Sequence, residues 1–289
     1  MLKIRRARPE EIPQLMMLWI ECFGDTSEYI NFVFDKLILP ENAFVLGHDN
    51  EIYAMLFYSP FELKGSVNTA KGAYIYGVAT SKTQRGQGFS TQLLEHTNDV
   101  LAGEGYELSV LVPASKSLFD FYSQRGYSVF SEIANITLRA ENFDRVPTET
   151  TLGEALPKDM YALREKYFSA LSGFVSWSRE YLEFIYSECN MLGGDTLLLE
   201  HGDAKGYAVC YKYEKRVYIK EFALPSGLFN SAAAAIHKKY KAEEYIYRFC
   251  PQLCPQNSHA VLPYSMIKWY HRNNISCYNE GNYITFTLD

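Results

Sequence analysis

Tyr76-Gly77-Val78-Ala79-Thr80-Ser81-Lys82-Thr83-Gln84-Arg85-Gly86-Gln87-Gly88-Phe89-Ser90 is the stretch whose reading decides the fold. Ala73 to Thr80 has the character of a long strand, and the run through Leu93, Leu94, His96 and Val100 to Ala102 that of a helix stopped by Gly103 and Gly105. A glycine turn joins them. The first amides of a helix have no partner within it and sit at the positive end of its dipole, so a pyrophosphate fits there. Gly86 and Gly88 let the backbone approach phosphates, and Arg85 adds a positive charge. The competing reading is a plain strand-to-helix turn capped by Ser90.

Outward from the turn, the pattern predicts strand Leu2–Arg8 and helices opened by Pro9 and by Thr26 or Ser27, carrying Trp19, Phe23, Tyr29 and Phe32. A hairpin from Phe44 to Phe61 follows. After the turn come strand Glu107–Val112, helix Leu118–Gln124 and strand Tyr127–Leu138. Residues 141–153, polar and without periodicity, read as a linker. The second half repeats the order: helices Asp159–Leu171 and Arg179–Asn190, hairpin Thr196–Tyr213, strand Val217–Leu224, helix Phe229–Lys239, strand Tyr245–Cys250, helix Tyr264–His271 and strand Tyr283–Leu288. Ser27-Glu28-Tyr29-Ile30-Asn31-Phe32 lies opposite Arg179-Glu180-Tyr181-Leu182-Glu183-Phe184, and Tyr53-Ala54 opposite Tyr207-Ala208. Shared order and shared local residues predict a duplication: a first domain at 1–140, the linker at 141–153 and a second domain at 154–289.

With the turn in this context, the first half resembles the GCN5-related N-acetyltransferase (GNAT) family, whose signature Arg/Gln-x-x-Gly-x-Gly/Ala is met by Arg85, Gly88 and Ser90, the serine departing from the usual Gly or Ala. The resemblance covers roughly residues 1 to 140. It implies an α/β fold of the α+β mixed-sheet kind, with two tandem GNAT-like domains, each a mostly antiparallel central sheet flanked by helices. It implies acetyl-coenzyme A as co-substrate, its pyrophosphate on the amides of Arg85, Gly86, Gln87, Gly88, Phe89 and Ser90. The pantetheine arm would pair with the strand at Val78 and Thr80, in a splay between that strand and Glu107–Val112, and amides near Val78 would polarise the thioester carbonyl.

A second stretch, Leu118-Phe119-Asp120-Phe121-Tyr122-Ser123-Gln124-Arg125-Gly126-Tyr127, is similar to the Phe-Tyr-x-x-x-Gly-Tyr/Phe run of the same family. The resemblance implies that Tyr122 protonates the leaving thiolate; by spacing alone Tyr122 could equally be one residue of an apolar face. The counterpart in the second half, Phe222-Ala223-Leu224-Pro225-Ser226-Gly227-Leu228-Phe229, lacks Arg-x-x-Gly, so that domain reads as degenerate and one coenzyme A per chain is expected. The tandem arrangement is similar to the enhanced intracellular survival (Eis) acetyltransferases, without the room for their sterol-carrier-like domain. In those enzymes the C-terminal carboxylate serves as base, which makes the α-carboxylate of Asp289 a candidate here, since strand Ala73–Thr80 offers Tyr74 and Tyr76 but no carboxylate.

Composition narrows the alternatives. Hydrophobic residues make up 47% and charged residues 21% of 289, an ordinary globular balance. A net charge of −6 without a basic run argues against nucleic acid, and no apolar segment is long enough to span a bilayer. The N-terminus shows no signal core, so a cytoplasmic protein is expected. Cys250 and Cys254, with His259, His271 and Cys277, fit no common zinc spacing, and no metal is expected. The expected function is acetyl transfer to a primary amine of a small molecule or peptide; the alternative is a catalytically silent coenzyme A-binding regulatory module. Aromatics on both halves, among them Trp19, Phe23, Tyr29, Phe32, Trp177, Tyr207, Tyr211, Tyr213 and Tyr218, are expected to wall an acceptor cleft or else to fill two cores.

Overall fold

A computed structural model describes residues 1–65, 68–255, 261–271 and 281–288. The N-terminal half runs β1 (Leu2–Arg6), α1 (Ile12–Phe23), α2 (Ser27–Lys36), β2 (Ala43–His48), β3 (Glu51–Gly65), β4 (Thr69–Thr80), α3 (Phe89–Gly103), β5 (Leu108–Leu111), α4 (Lys116–Ser123) and β6 (Ser128–Arg139). The C-terminal half runs β7 (Thr151–Glu154), α5 (Pro157–Phe168), β8 (Gly173–Ser176), α6 (Arg179–Met191), β9 (Asp195–His201), β10 (Ala204–Tyr213), β11 (Arg216–Ala223), α7 (Phe229–Tyr240), β12 (Glu244–Phe249), β13 (Val261–Trp269) and β14 (Asn282–Tyr283).

The strands form one mixed sheet in the order β1-β2-β3-β4-β5-β13-β6-β12-β11-β10-β9-β7. Two parallel pairings recur at equivalent places, β4 with β5 and β11 with β12. Each is bridged by a helix, α3 or α7, as a parallel connection requires. Beyond each pair the halves trade strands. β13, from the C-terminal half, lies antiparallel between β5 and β6, while β6, from the N-terminal half, completes the sheet beside β12. β8 adds to the exchange by pairing with the far end of β3, Glu62 opposite Ser176.

Four elements differ from the sequence expectation, one of them being β8, which it did not contain. Tyr264–His271 is not a helix: β13 occupies Val261–Trp269, with Tyr264, Ser265, Met266 and Ile267 all buried. A strand inside a sheet covered on both faces has no polar alternation to betray it. Thr151–Glu154 forms the edge strand β7 against β9. Of Tyr283–Leu288, only Tyr283 lies in a strand, which pairs with β8.

The helices that matched in sequence also match in space. Thr26 caps α2 by accepting the Tyr29 amide at 3.3 Å, and Ser178 caps α6 by accepting the Tyr181 amide at 3.2 Å. Phe32 and Phe184, opposite one another in the repeat, stack at 5.6 Å between ring centroids. Two equivalent residues touching each other is what a local two-fold relation between α2 and α6 produces.

The C-terminal half is locked by a buried ion pair. Arg164 on α5 meets Glu221 on β11, both carboxylate oxygens lying within 2.6 Å of its Nη1, and donates from Nη2 to the carbonyl of Val175 at 2.8 Å. Tyr207 and Thr285 donate to the same carboxylate. Removing one partner leaves the other charge buried without compensation. Arg164→Met is therefore expected to lower unfolding free energy by about 3–5 kcal/mol, read as a drop in the urea midpoint at unchanged slope.

Candidate active site

The site begins with a defect in β4. Met55 pairs with Ala79 and Phe57 with Tyr76, so Gly77 and Val78 together oppose the single residue Leu56. This is a β-bulge, and it requires glycine: Gly77 has φ +59°, and a Cβ there would lie 2.7 Å from Cδ2 of Phe57 and 3.1 Å from Cζ3 of Trp19. The bulge bends β4 away from its neighbour. β4 and β5 pair only from Gly72–Leu108 to Tyr74–Val110, while β4 continues to Thr80, so the two strands splay. In the splayed stretch the Thr80 hydroxyl is buried and has no hydrogen-bond partner among the described residues.

The turn after β4 is held from below. Glu21 on α1 accepts the amide of Lys82 at 2.6 Å, and Arg85 donates from Nε to the carbonyl of Thr80 at 3.2 Å. Gly88 is the N-cap of α3 with φ +75°, and no side chain caps the helix. Ser90 is therefore not the cap, and the first-turn amides keep their unpaired N–H groups. A Cβ at Gly86 would meet nothing within 4 Å, so the cradle over these amides is open. Gln87 bridges the turn to Gln84 at 2.8 Å, and Phe89 turns its ring inward to stack on Tyr53, leaving only its amide at the cradle.

Tyr122 closes the other side of the splay. Arg125 ties α4 to α3, donating from Nε to Oγ1 of Thr91 at 2.9 Å while its guanidinium covers the Phe121 ring at 3.4 Å. Tyr122 is only 7% exposed. Burial pushes its phenol up to about 12, against a small opposing effect of Arg125, so it keeps its proton at neutral pH.

A cavity of about 510 Å³ opens between these elements. Gly77, Val78 and Tyr122 line it from the first half, as do Trp19, Phe23 and Tyr29 on the opening helices. The second half supplies Glu188, Tyr211, Tyr213, Lys220 and Leu288. The other expected aromatics serve packing. Trp177 stacks on Tyr181 at 4.1 Å, Tyr207 bonds Glu221, Phe32 stacks on Phe184, and Tyr218 packs against Tyr213.

Sequence reading missed Glu188. It sits on the buried stripe of α6 with Tyr181, Leu182, Phe184 and Ile185, spacings of seven, six, four and three residues. A carboxylate on an apolar stripe was the available signal. The C-terminal segment is threaded to the same place: Trp177 donates from Nε1 to the Thr285 carbonyl at 2.9 Å, Tyr181 to that of Phe286 at 2.8 Å, and the Leu288 amide to Tyr74 Oη at 3.1 Å. Asp289 lies outside the described residues, as do His259 and Cys277. Among the described residues no cluster of His, Cys, Asp or Glu has metal-binding geometry, and no helix is long and apolar enough to cross a membrane.

A bulged, splayed central strand thus feeds an uncapped glycine turn beside the cavity. Residues 3–130 match the acetyltransferase (GNAT) domain family. The N-terminal half of the chain thus belongs to the GNAT acetyltransferases, and the protein is an acyltransferase. Similar solved structures extend the likeness in fold over both halves. A conserved protein of Enterococcus faecalis V583, named as a probable N-acyltransferase, is 21% identical with TM-score 0.73, covering 93% of this chain and 73% of its own. A GCN5-related N-acetyltransferase from Anabaena variabilis ATCC 29413 is 16% identical with TM-score 0.75, covering 92% and 72%. Eis1 from Mycobacterium abscessus is 12% identical with TM-score 0.69, covering 92% and 73%. No curated protein matches the sequence.

The bulge has no room for a side chain and needs a left-handed residue. Gly77→Ala is expected to cost about 1–3 kcal/mol, measured as a lowered urea midpoint; an unchanged midpoint would mean that the bulge relaxes freely.

Proposed function

We propose that the protein transfers the acetyl group of acetyl-coenzyme A to a primary amine of a small molecule or peptide. The observation that carries this reading is that Tyr122 and the bulge residues Gly77 and Val78 line one cavity. When bound, acetyl-coenzyme A supplies an activated thioester. The amides of Arg85, Gly86, Gln87, Gly88, Phe89 and Ser90 hold its pyrophosphate, since α3 starts uncapped at Gly88. Val78 and Thr80 receive the pantetheine arm, where β4 runs on past its pairing with β5. Amides at the bulge polarise the carbonyl, and Tyr122, protonated at neutral pH, returns a proton to the departing sulfur. The α-carboxylate of Asp289 is proposed as base, on the ground that Leu288 already lines the cavity. One coenzyme A binds per chain, because the counterpart turn after β11 runs through Pro225 with Gly227 alone. We place the cofactor unit at 1–140 and its degenerate counterpart at 154–289, joined through 141–153, in a cytoplasmic protein.

Gly88→Glu sets bulk and negative charge where the pyrophosphate would lie. Calorimetry on the folded variant should find coenzyme A binding abolished, and an unchanged affinity would refute the cradle. Tyr122→Phe keeps the ring and removes the proton. Turnover should fall about 10²–10⁴-fold with coenzyme A affinity retained, whereas turnover within twofold of wild type would leave Tyr122 a packing residue.

A further inference from the structure

Two carboxylates are buried deep in the C-terminal half, and they are treated differently. Glu221, 0% exposed, receives Arg164 together with the hydroxyls of Tyr207 and Thr285. That is the satisfaction a structural buried charge needs. Glu188, 3% exposed, receives only two phenols, Tyr29 to Oε1 and Tyr211 to Oε2, each at 2.8 Å. It forms no ion pair among the described residues, and unlike Glu221 it lies on the cavity wall. Two hydroxyl donors would be served equally by a neutral amide. A carboxylate there has acceptor capacity left over, facing a chamber large enough for a ligand.

The surroundings state what the ligand carries. Trp19, Tyr29 and Tyr211 share the wall with Glu188, aromatic side chains of the kind an alkylammonium group packs against. Asp25 adds a second, exposed carboxylate and orients Trp19 by accepting its Nε1 proton at 2.7 Å. Among the described residues the one lysine on this wall, Lys220, stands over the Tyr211 ring at 5.0 Å.

We propose that Glu188 binds an ammonium group of the acceptor, and that the acceptor is an aliphatic diamine or polyamine whose second nitrogen reaches the bulge at Gly77. The proposal rests on the acetyl-transfer reading for the reacting end of the acceptor, and adds to it the residue that selects the cation. An amine bearing a carboxylate beside its nitrogen would bring like charge against Glu188 and bind poorly.

The test is calorimetric titration of 1,4-diaminobutane into the full chain, with and without saturating coenzyme A, with glycine as the carboxylate-bearing control. Wild type should bind the diamine and reject glycine. E188Q should weaken diamine binding tenfold or more and leave coenzyme A affinity within twofold. Y211F keeps the ring and the carboxylate while freeing one carboxylate oxygen, so it should bind the diamine at least as tightly as wild type. This second variant decides the matter if E188Q does not fold. Diamine affinity within twofold of wild type in E188Q, a tenfold loss in Y211F, or no diamine binding by wild type would each overturn the proposal. A wild type that binds the diamine but not coenzyme A would uphold Glu188 and refute the cofactor assignment, so the two failures are distinguishable.

Discussion

Everything in this molecule depends on the exchange of β13 and β6. A strand at a sheet edge presents unpaired amides and carbonyls, and a half-chain that stopped at β5 or at β12 would expose such an edge beside its parallel pair. Neither half closes that edge with its own next strand alone. β13 returns from the far end of the chain to pair with β5, and β6 crosses to pair with β12. The junction between β13 and β6 is bonded at its centre, where the buried hydroxyls of Ser131 and Ser265 meet at 2.5 Å. The pairing fixes the halves in one register, and a one-residue slip would turn every core side chain to the wrong face.

That fixed register is what allows a site to form on the seam. α2 and α6 are brought together with Phe32 against Phe184, and the cavity opens beside this contact with one wall from each half. The local symmetry is then broken by a few residues. On the N-terminal side a bulge at Gly77 and an uncapped glycine turn open the sheet. On the C-terminal side the equivalent turn begins at Pro225, which fixes its own φ and offers no amide. Tyr181, the counterpart of Tyr29, spends its hydroxyl on the carbonyl of Phe286. Tyr29 spends its own on Glu188. One copy of the tyrosine pins the C-terminal segment and the other holds a carboxylate against the cavity.

The parts of this arrangement that local chemistry dictates were legible in the sequence. The glycine turn is a backbone requirement written in Gly86 and Gly88, and the cap Thr26 is written beside the helix that it starts, whereas Ser178, which caps α6, was not read. The splay was implied by family resemblance, and its cause, the positive φ at Gly77, was not read although the residue was in view. Long-range pairing left no such mark. The middle of β13, Tyr264 to Ile267, is buried on both faces, so its pattern imitates a helix stripe, and nothing in Val261–Trp269 says that its partner is Leu111 rather than a strand of its own half. Glu188 was hidden for the opposite reason. Helix periodicity places it correctly on the inner face of α6, but only the fold shows that this stretch of the inner face lines a cavity, with Tyr29 arriving from a residue 159 positions away.

The C-terminal half, which lacks a counterpart of the Arg85–Ser90 glycine turn, is thereby given a physical reason to exist. It supplies the strand that completes the sheet of the N-terminal half, the edge pairing of β8 on β3, and the acidic and aromatic wall that the splayed β4 faces. The buried pair of Arg164 and Glu221 belongs to the same task. By holding Thr285 through its hydroxyl it fixes the path of the final segment, which Trp177 and Tyr181 then guide by its carbonyls until Leu288 reaches Tyr74 on β4. A buried ion pair is a weak source of net stability, since its desolvation offsets most of its attraction. It is a strong source of position, because a carboxylate shared among a guanidinium and two hydroxyls tolerates little displacement of any of them. Placed where it is, it transmits the geometry of the C-terminal half to β4, the strand whose bulge lines the cavity.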